Sequence, residues 1–265
     1  MDNDDQPIGN FLSRREALTL FGLSGAALLA ACAQAGSLSD AVATATGAPA
    51  TAASSTTPSA ASTAALPSCI ARPALTEGPY FVDERLERAD IRSDPSDGSL
   101  RPGIPLTLTF LVSNVANNMC SPMPNAMVDI WHCDAQGVYS DASDPNFGST
   151  AGQKFLRGYQ VTDQNGLARF TTIYPGWYQG RAVHIHFKIR NYPPADAGYD
   201  FTSQVFFDEA VSDEVFQLSD YQKRGEYMRN SQDGIFNQSG GQTLLALTPQ
   251  TEGYSATFDI GLDFS

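Results

Sequence analysis

The sequence predicts an all-β fold, a β-sandwich of about seven or more strands joined by long functional loops. Three observations predict it. Pro105 to Val112 alternates strictly, with Leu106, Leu108, Phe110 and Val112 on one side and Thr107 and Thr109 on the other, the period of a half-buried strand. A second alternation closes the chain at Ala256, Phe258, Ile260, Leu262 and Phe264. Between them short apolar runs recur among turn residues, whereas the best helical stretches, Asp213 to Leu218 and Asp220 to Arg229, are each interrupted by polar or glycine residues.

The sandwich is expected to occupy residues 68–265, because what precedes it has a different character. In residues 1–31, Ser13-Arg14-Arg15-Glu16 leads into an uncharged, Leu- and Ala-rich run from Ala17 to Ala31. A charged start and an apolar stretch of this kind make a secretory signal peptide. The run is shorter than the roughly 20 residues that a membrane-spanning helix needs. The arginine pair resembles a twin-arginine signal, and Leu29-Ala30-Ala31-Cys32 resembles a lipobox, which makes Cys32 the expected lipid attachment point. Residues 32–67 are then almost entirely Ala, Ser, Thr, Gly and Pro, without an aromatic residue. Such a segment has too little apolar surface to offset the entropy of ordering, so it reads as a flexible linker. The expected location is therefore outside the cell membrane, in the periplasm or beyond, with membrane contact only through the lipid.

Within the domain, strands are expected at Pro105 to Val112, Ala126 to Cys133, Phe155 to Thr162, Leu167 to Ile173, around His184, at Phe201 to Phe207 and at the C-terminus. Asp163-Gln164-Asn165-Gly166 carries the Asn-Gly signal of a tight hairpin between the third and fourth. The formal charge of −13 argues against a nucleic-acid partner, which needs a basic patch. Four cysteines are too few for a disulfide scaffold. With Cys32 lipidated, Cys69, Cys120 and Cys133 are expected to give one pair and one buried thiol, the pairing left open.

The chemistry is expected on the strand Val183-His184-Ile185-His186-Phe187-Lys188-Ile189. Residues two apart on a strand share a face, so both imidazoles project one way while Val183, Ile185, Phe187 and Ile189 pack the other. The chain has only three histidines, and two of them stand here. This pattern reads as half of a metal site. The third, His132, is expected to be structural. Arg157-Gly158 reads as a turn or packing feature. Among ten tyrosines, Tyr139 follows a strand and a glycine, and Tyr178 follows the Pro175-Gly176 turn six residues before His184.

Asp129 to Tyr139, Thr171 to Ile173, Pro175-Gly176-Trp177-Tyr178, Arg181 and His184-Ile185-His186-Phe187 together resemble the intradiol ring-cleavage dioxygenases, the family that includes catechol and protocatechuate dioxygenases. Leu75-Thr76-Glu77-Gly78-Pro79-Tyr80-Phe81 resembles the segment opening their catalytic domain, and the likeness covers roughly Leu75 to Phe207. It implies one Fe(III) per chain held by Tyr139, Tyr178, His184 and His186, with solvent hydroxide as a fifth ligand. By the same likeness His184 and Tyr139 are equatorial, and His186 and Tyr178 axial. Phenolates are hard, charged oxygen donors, and such a set favours ferric iron over copper or zinc. The implied reaction joins a catecholic substrate with O2 and opens the ring between its hydroxyl-bearing carbons, giving a cis,cis-muconate type of product. Arg181 is implied to stabilise charge developing on the ring, Tyr178 to leave the metal and accept a substrate proton, Gln204 to stand behind the site, and Tyr80 to wall the substrate pocket. The competing expectation is a non-catalytic, surface-tethered β-sandwich that binds a metal or ligand. Neither the particular catechol nor the oligomeric state is readable.

Overall fold

A computed structural model describes residues 70–263 apart from 117–118, 194–197 and 224. The stretches expected to be a signal peptide and a linker, with Cys32 and Cys69, lie outside the described residues, as does Phe264. Among the described residues no helix is long and apolar enough to cross a membrane.

Two sheets enclose the core. In the first, β1 (Pro105–Ala116) is the hub. It pairs in parallel with β11 (Tyr254–Leu262), and antiparallel with both β2 (Met119–Pro122) and β7 (Leu167–Ile173). The short β10 (Thr248–Pro249) extends β11. The second sheet runs in the order β6 (Arg157–Val161), β3 (Ala126–Trp131), β8 (His184–Asn191), β9 (Asp200–Phe206). A two-stranded ribbon, β4 (Ser143–Asp144) with β5 (Gly148–Ser149), stands apart.

The expected alternation of β1 is what assembles the sandwich. Leu106, Leu108, Phe110 and Val112 are fully buried, and register pairs Phe110 with Phe258 and Leu108 with Ala256. From the opposite sheet, the ring of Phe187 meets Phe110 at 5.1 Å and Phe258 at 5.5 Å between centroids. Each such fully buried side chain contributes about 2–3 kcal/mol of transfer free energy, so this three-ring contact between sheets is a principal tie.

One expectation is corrected. The Asn165-Gly166 turn is tight, with Gly166 at φ +76° and Asp163 accepting from Asn165 and Leu167, but it does not make a hairpin. Its flanking strands part, β6 joining β3 and β7 joining β1, so the turn is a corner between the sheets. A sequence signal fixes the local reversal and not the partner. The two weak helical stretches behave as their interruptions suggest: Asp213 to Leu218 only overlaps the end of a short helix, and the described residues of Asp220 to Arg229 hold no α-helix. Helix α1 is Glu209–Val215, a single 3-10 turn covers Ser219–Tyr221, another covers Asn230–Gln232, and α2 is Gly234–Ser239. Aspartate caps set these starts: Asp208 accepts from the Ala210 amide, and Asp233 from those of Ile235 and Phe236. Cys133 is a buried free thiol, and Cys120 is disulfide-bonded.

Candidate active site

The site lies on the face of β8 turned away from the aromatic core. Ile185, Phe187 and Ile189 enter the core while His184, His186 and Lys188 face outward, as the alternation requires. Outward here does not mean solvent. His184 is 3% exposed and His186 2%, because the segment before β1 and the loops after β3 and β7 cover them.

Two glycines bring those loops together. A Cβ on Gly137 would sit 2.2 Å from the Trp177 carbonyl, and one on Gly176 would sit 2.4 Å from that of Ala135, so the backbones touch where only glycine fits. The Gly176 amide donates to Asp134 O. Tyr139 and Tyr178, which follow these glycines, are thereby held on one side of the histidine strand.

Three donor atoms converge. His184 Nε2 lies 3.0 Å from His186 Nε2 and 3.2 Å from the Tyr139 hydroxyl. The tautomer of His184 is fixed, since its Nδ1–H donates to Ala182 O at 2.6 Å and leaves a lone pair on Nε2. His186 stacks on Trp131 at 5.0 Å, and its Nδ1 is buried without a partner. Burial drives both imidazoles well toward the neutral form, the form that ligates a metal. The same burial pushes the Tyr139 phenol well above its usual range; a bound cation acts in the opposite sense.

These residues fit a metal ion. First-row metal bonds of about 2.1 Å at right angles put their donor atoms about 3.0 Å apart, the spacing observed. Among the described residues no group of three or more His, Cys, Asp or Glu side chains could hold a metal, and the donor that stands beside the two histidines is the Tyr139 phenol.

Tyr178 is placed differently from the other three. Its hydroxyl donates to Asp144 Oδ2 at 2.8 Å and lies 2.8 Å from the Tyr80 hydroxyl, which itself donates to Asp144 at 2.5 Å. Its ring stands edge-on to Tyr139 at 5.8 Å. Tyr80 touches both, stacked on Tyr139 at 4.5 Å and edge-on to Tyr178 at 5.5 Å. Desolvation pushes Asp144 up, but hydrogen bonds from Tyr80, Asn146 and Tyr178 outweigh it and hold the carboxylate below its usual range.

Arg181 and Gln204 meet beside the histidines. Arg181 Nη2 donates to Gln204 Oε1 at 2.7 Å, and Gln204 Nε2 donates to Thr76 O at 2.8 Å. Register explains the meeting, because Gln204 pairs with His186 across β8 and β9.

Asp144, Asp233 and Arg157 were not singled out as site residues by the sequence. Asp144 lies five residues beyond Tyr139 in a polar loop with no periodicity to mark it. Asp233 has a signal, an aspartate just before an apolar helical turn, but the signal speaks only of a cap. Arg157, expected to be a packing feature, is one with a polar job: it donates to the Tyr80 carbonyl and to Ser140 Oγ, stitching the Tyr80 segment to the Tyr139 loop. His132 is structural, its Nε2 against Thr172 Oγ1 and its Nδ1–H donating to Cys133 O.

The family model described as Dioxygenase matches residues 76–262. An intradiol ring-cleavage dioxygenase from Tetranychus urticae superposes with a TM-score of 0.61 at 33% identity, covering 74% of this chain and 94% of that one. The chain belongs to the intradiol ring-cleavage dioxygenase family. A second solved relative is the dioxygenase domain of a carbohydrate-binding fusion protein from Streptomyces sp. SirexAA-E, with a TM-score of 0.53 at 28% identity over 74% of this chain and 100% of that one. The catechol 1,2-dioxygenase of Acinetobacter baylyi is 34% identical over 160 residues, 51% of this chain and 46% of that protein. This intradiol dioxygenase spans about half the length of the curated relatives it matches.

Proposed function

We propose that this protein opens the ring of catecholic aromatics with O2, between the two hydroxyl-bearing carbons, to give cis,cis-muconate-type products. The observation that carries the reading is the buried convergence at His184, whose Nε2 lies 3.2 Å from the Tyr139 hydroxyl and 3.0 Å from His186 Nε2. Those three residues, with Tyr178 as the fourth, would hold Fe(III). When bound, that ion supplies the Lewis acidity that draws electron density from a chelated catecholate and readies its ring for O2.

The residues of this chain do the rest. His184 and His186 bring neutral nitrogens to a buried place where an uncompensated cation would be costly, and the phenols bring the negative charge. A Tyr178 phenolate can take a substrate proton, and the neutral phenol it becomes has a satisfied position, its hydroxyl donating to Asp144 and lying against that of Tyr80. Arg181, a fixed positive charge beside the histidine strand, stabilises negative charge developing on the ring. Gln204 holds that guanidinium, and Tyr80 walls the pocket through its stack on Tyr139.

The test is O2 uptake by the iron-loaded protein with catechol, hydroxyquinol and protocatechuate in turn. Uptake of one O2 per ring with a ring-opened product is expected from at least one of them; no uptake from any of the three would sink the reading. The loaded protein should also be red-brown from phenolate-to-iron charge transfer, and Tyr139→Phe should remove much of that colour. For its place in the cell we propose export and a lipid anchor at Cys32, supported by Arg14-Arg15, the apolar run and Leu29-Ala30-Ala31-Cys32. Cys32→Ala should then move the protein from the detergent to the aqueous phase.

A further inference from the structure

Asp233 comes from the C-terminal stretch, at the start of α2, yet its carboxylate reaches the turn that enters β8. It is 2% exposed and has four donors. Oδ1 accepts from the amides of Ile235 at 2.8 Å and Phe236 at 3.2 Å, which is helix capping. Oδ2 accepts from Arg181 Nε at 2.9 Å and from the Ala182 amide at 2.8 Å. Ala182 in turn offers its carbonyl to His184 Nδ1–H. A residue that merely capped a helix would need one oxygen; the second is spent wholly on the turn carrying Arg181 and on the residue that sets the His184 tautomer.

We propose that Asp233 is a positioning residue, whose Oδ2 fixes the Arg181 guanidinium at Nε while Gln204 fixes it at Nη2, and whose bond to Ala182 orients His184 Nε2. This rests on the functional reading above for what Arg181 and His184 do. The mechanism is geometric. Arg181 has several rotatable bonds, and its charge is useful only where the ring charge develops. Asp233 on the Nε edge and Gln204 Oε1 on Nη2 leave the planar guanidinium one orientation. Groups that orient a metal ligand or a charge from behind typically carry effects of about 10–100-fold.

Asp233→Asn is the discriminating change. Asparagine caps a helix about as well as aspartate, so Oδ1 keeps its two amides, but an NH2 now faces Arg181 Nε–H and Ala182 N–H, donors against donors. In the iron-loaded full chain, kcat should fall about 10–100-fold with KM little changed and iron content retained. In an Arg181→Gln background the same substitution should lose the part of its effect that runs through Arg181 and keep the part that runs through Ala182 and His184, so the two losses should fall short of multiplying. Asp233→Ser, which also caps well but lacks the second oxygen, should lower kcat similarly. Wild-type kcat in either variant, or a loss that simply multiplies with that of Arg181→Gln, would overturn the proposal.

A second readout needs neither iron nor turnover. In metal-free protein, nitrogen-15 NMR should show His184 protonated at Nδ1 and a slowly exchanging Arg181 Nε–H that becomes fast in Asp233→Asn. Fast exchange in the wild type, or no change in the variant, overturns the proposal by itself. A wild-type protein that cleaves no catechol yet shows this protection defeats the functional reading and leaves the positioning role standing.

Discussion

Two segments cover the histidine face of β8, and they are held in opposite ways. The N-terminal one, residues 75–84, is tied down by many modest contacts. Glu77 pairs with Lys188, Asp83 with Arg190 at 2.9 Å, and Phe81 lies beneath Lys188 and against Trp131, while the Tyr80 carbonyl takes the Arg157 guanidinium. The C-terminal one, residues 230–239, reaches the site through the Asp233 carboxylate. The C-terminal segment also packs Ile235 and Phe236 against Leu75, Ala182 and Phe206, but its polar link to the Arg181 turn rests on one buried carboxylate, whereas the polar ties of the N-terminal segment are shared among several residues.

The largest expected effect is therefore at Asp233. Replacing it by alanine leaves Arg181 beside the buried site without its carboxylate and the α2 cap unmade, a loss of about 3–5 kcal/mol by analogy with broken buried ion pairs, read as a drop in the urea midpoint. Acid probes the sheet beneath both segments. Burial lowers His132 to about 4. The unfolded chain protonates this histidine near pH 6.5 while the folded one resists until about pH 4, so stability falls as pH drops through that window, by on the order of 3 kcal/mol. Thermal melts of the metal-free protein at pH 7 and pH 5 should show the loss, and His132→Gln should shrink it.

Smaller effects belong to the N-terminal segment. Gly78 has φ +72°, and a Cβ there would lie 3.2 Å from His186 Cε1. Gly78→Ala should cost about 1–2 kcal/mol through the left-handed backbone, and the shifted imidazole should move the charge-transfer band of the iron-loaded protein. Smallest is Asp83→Asn. Its partner Arg190 also holds Asp129 at 3.1 Å, and Asp83 is partly exposed, so a change of about 0–1 kcal/mol is expected by urea unfolding. An Asp83→Asn loss as large as that of Asp233→Ala would erase the contrast between the segments.

The same contrast marks how far the site was legible. Tyr80, Tyr139, Tyr178, Arg181, His184, His186 and Gln204 were singled out because they lie in motifs whose order along the chain resembles a known family. The alternation of β8 also foretold which side chains would reach the core. Asp144 and Asp233 were not found, because each acts through a partner distant in sequence. Asp233 stands 52 residues from Arg181, and Asp144 stands 34 from Tyr178. Nothing local distinguishes such an aspartate from a loop or cap residue. The Asn165-Gly166 corner failed for the same reason: turn chemistry is local and strand partnership is not.

By itself, then, the sequence determined the period-2 strands, the face on which both histidines stand and the types of donor available, because side-chain alternation and ligand chemistry are properties of neighbouring residues. Only the tertiary structure decided that β6 and β7 part into different sheets, that Tyr178 lies on Asp144 and Tyr80, and that Arg181 is gripped between Gln204 and Asp233. Those outcomes depend on which buried groups find partners across the fold, and burial makes each such partnership obligatory.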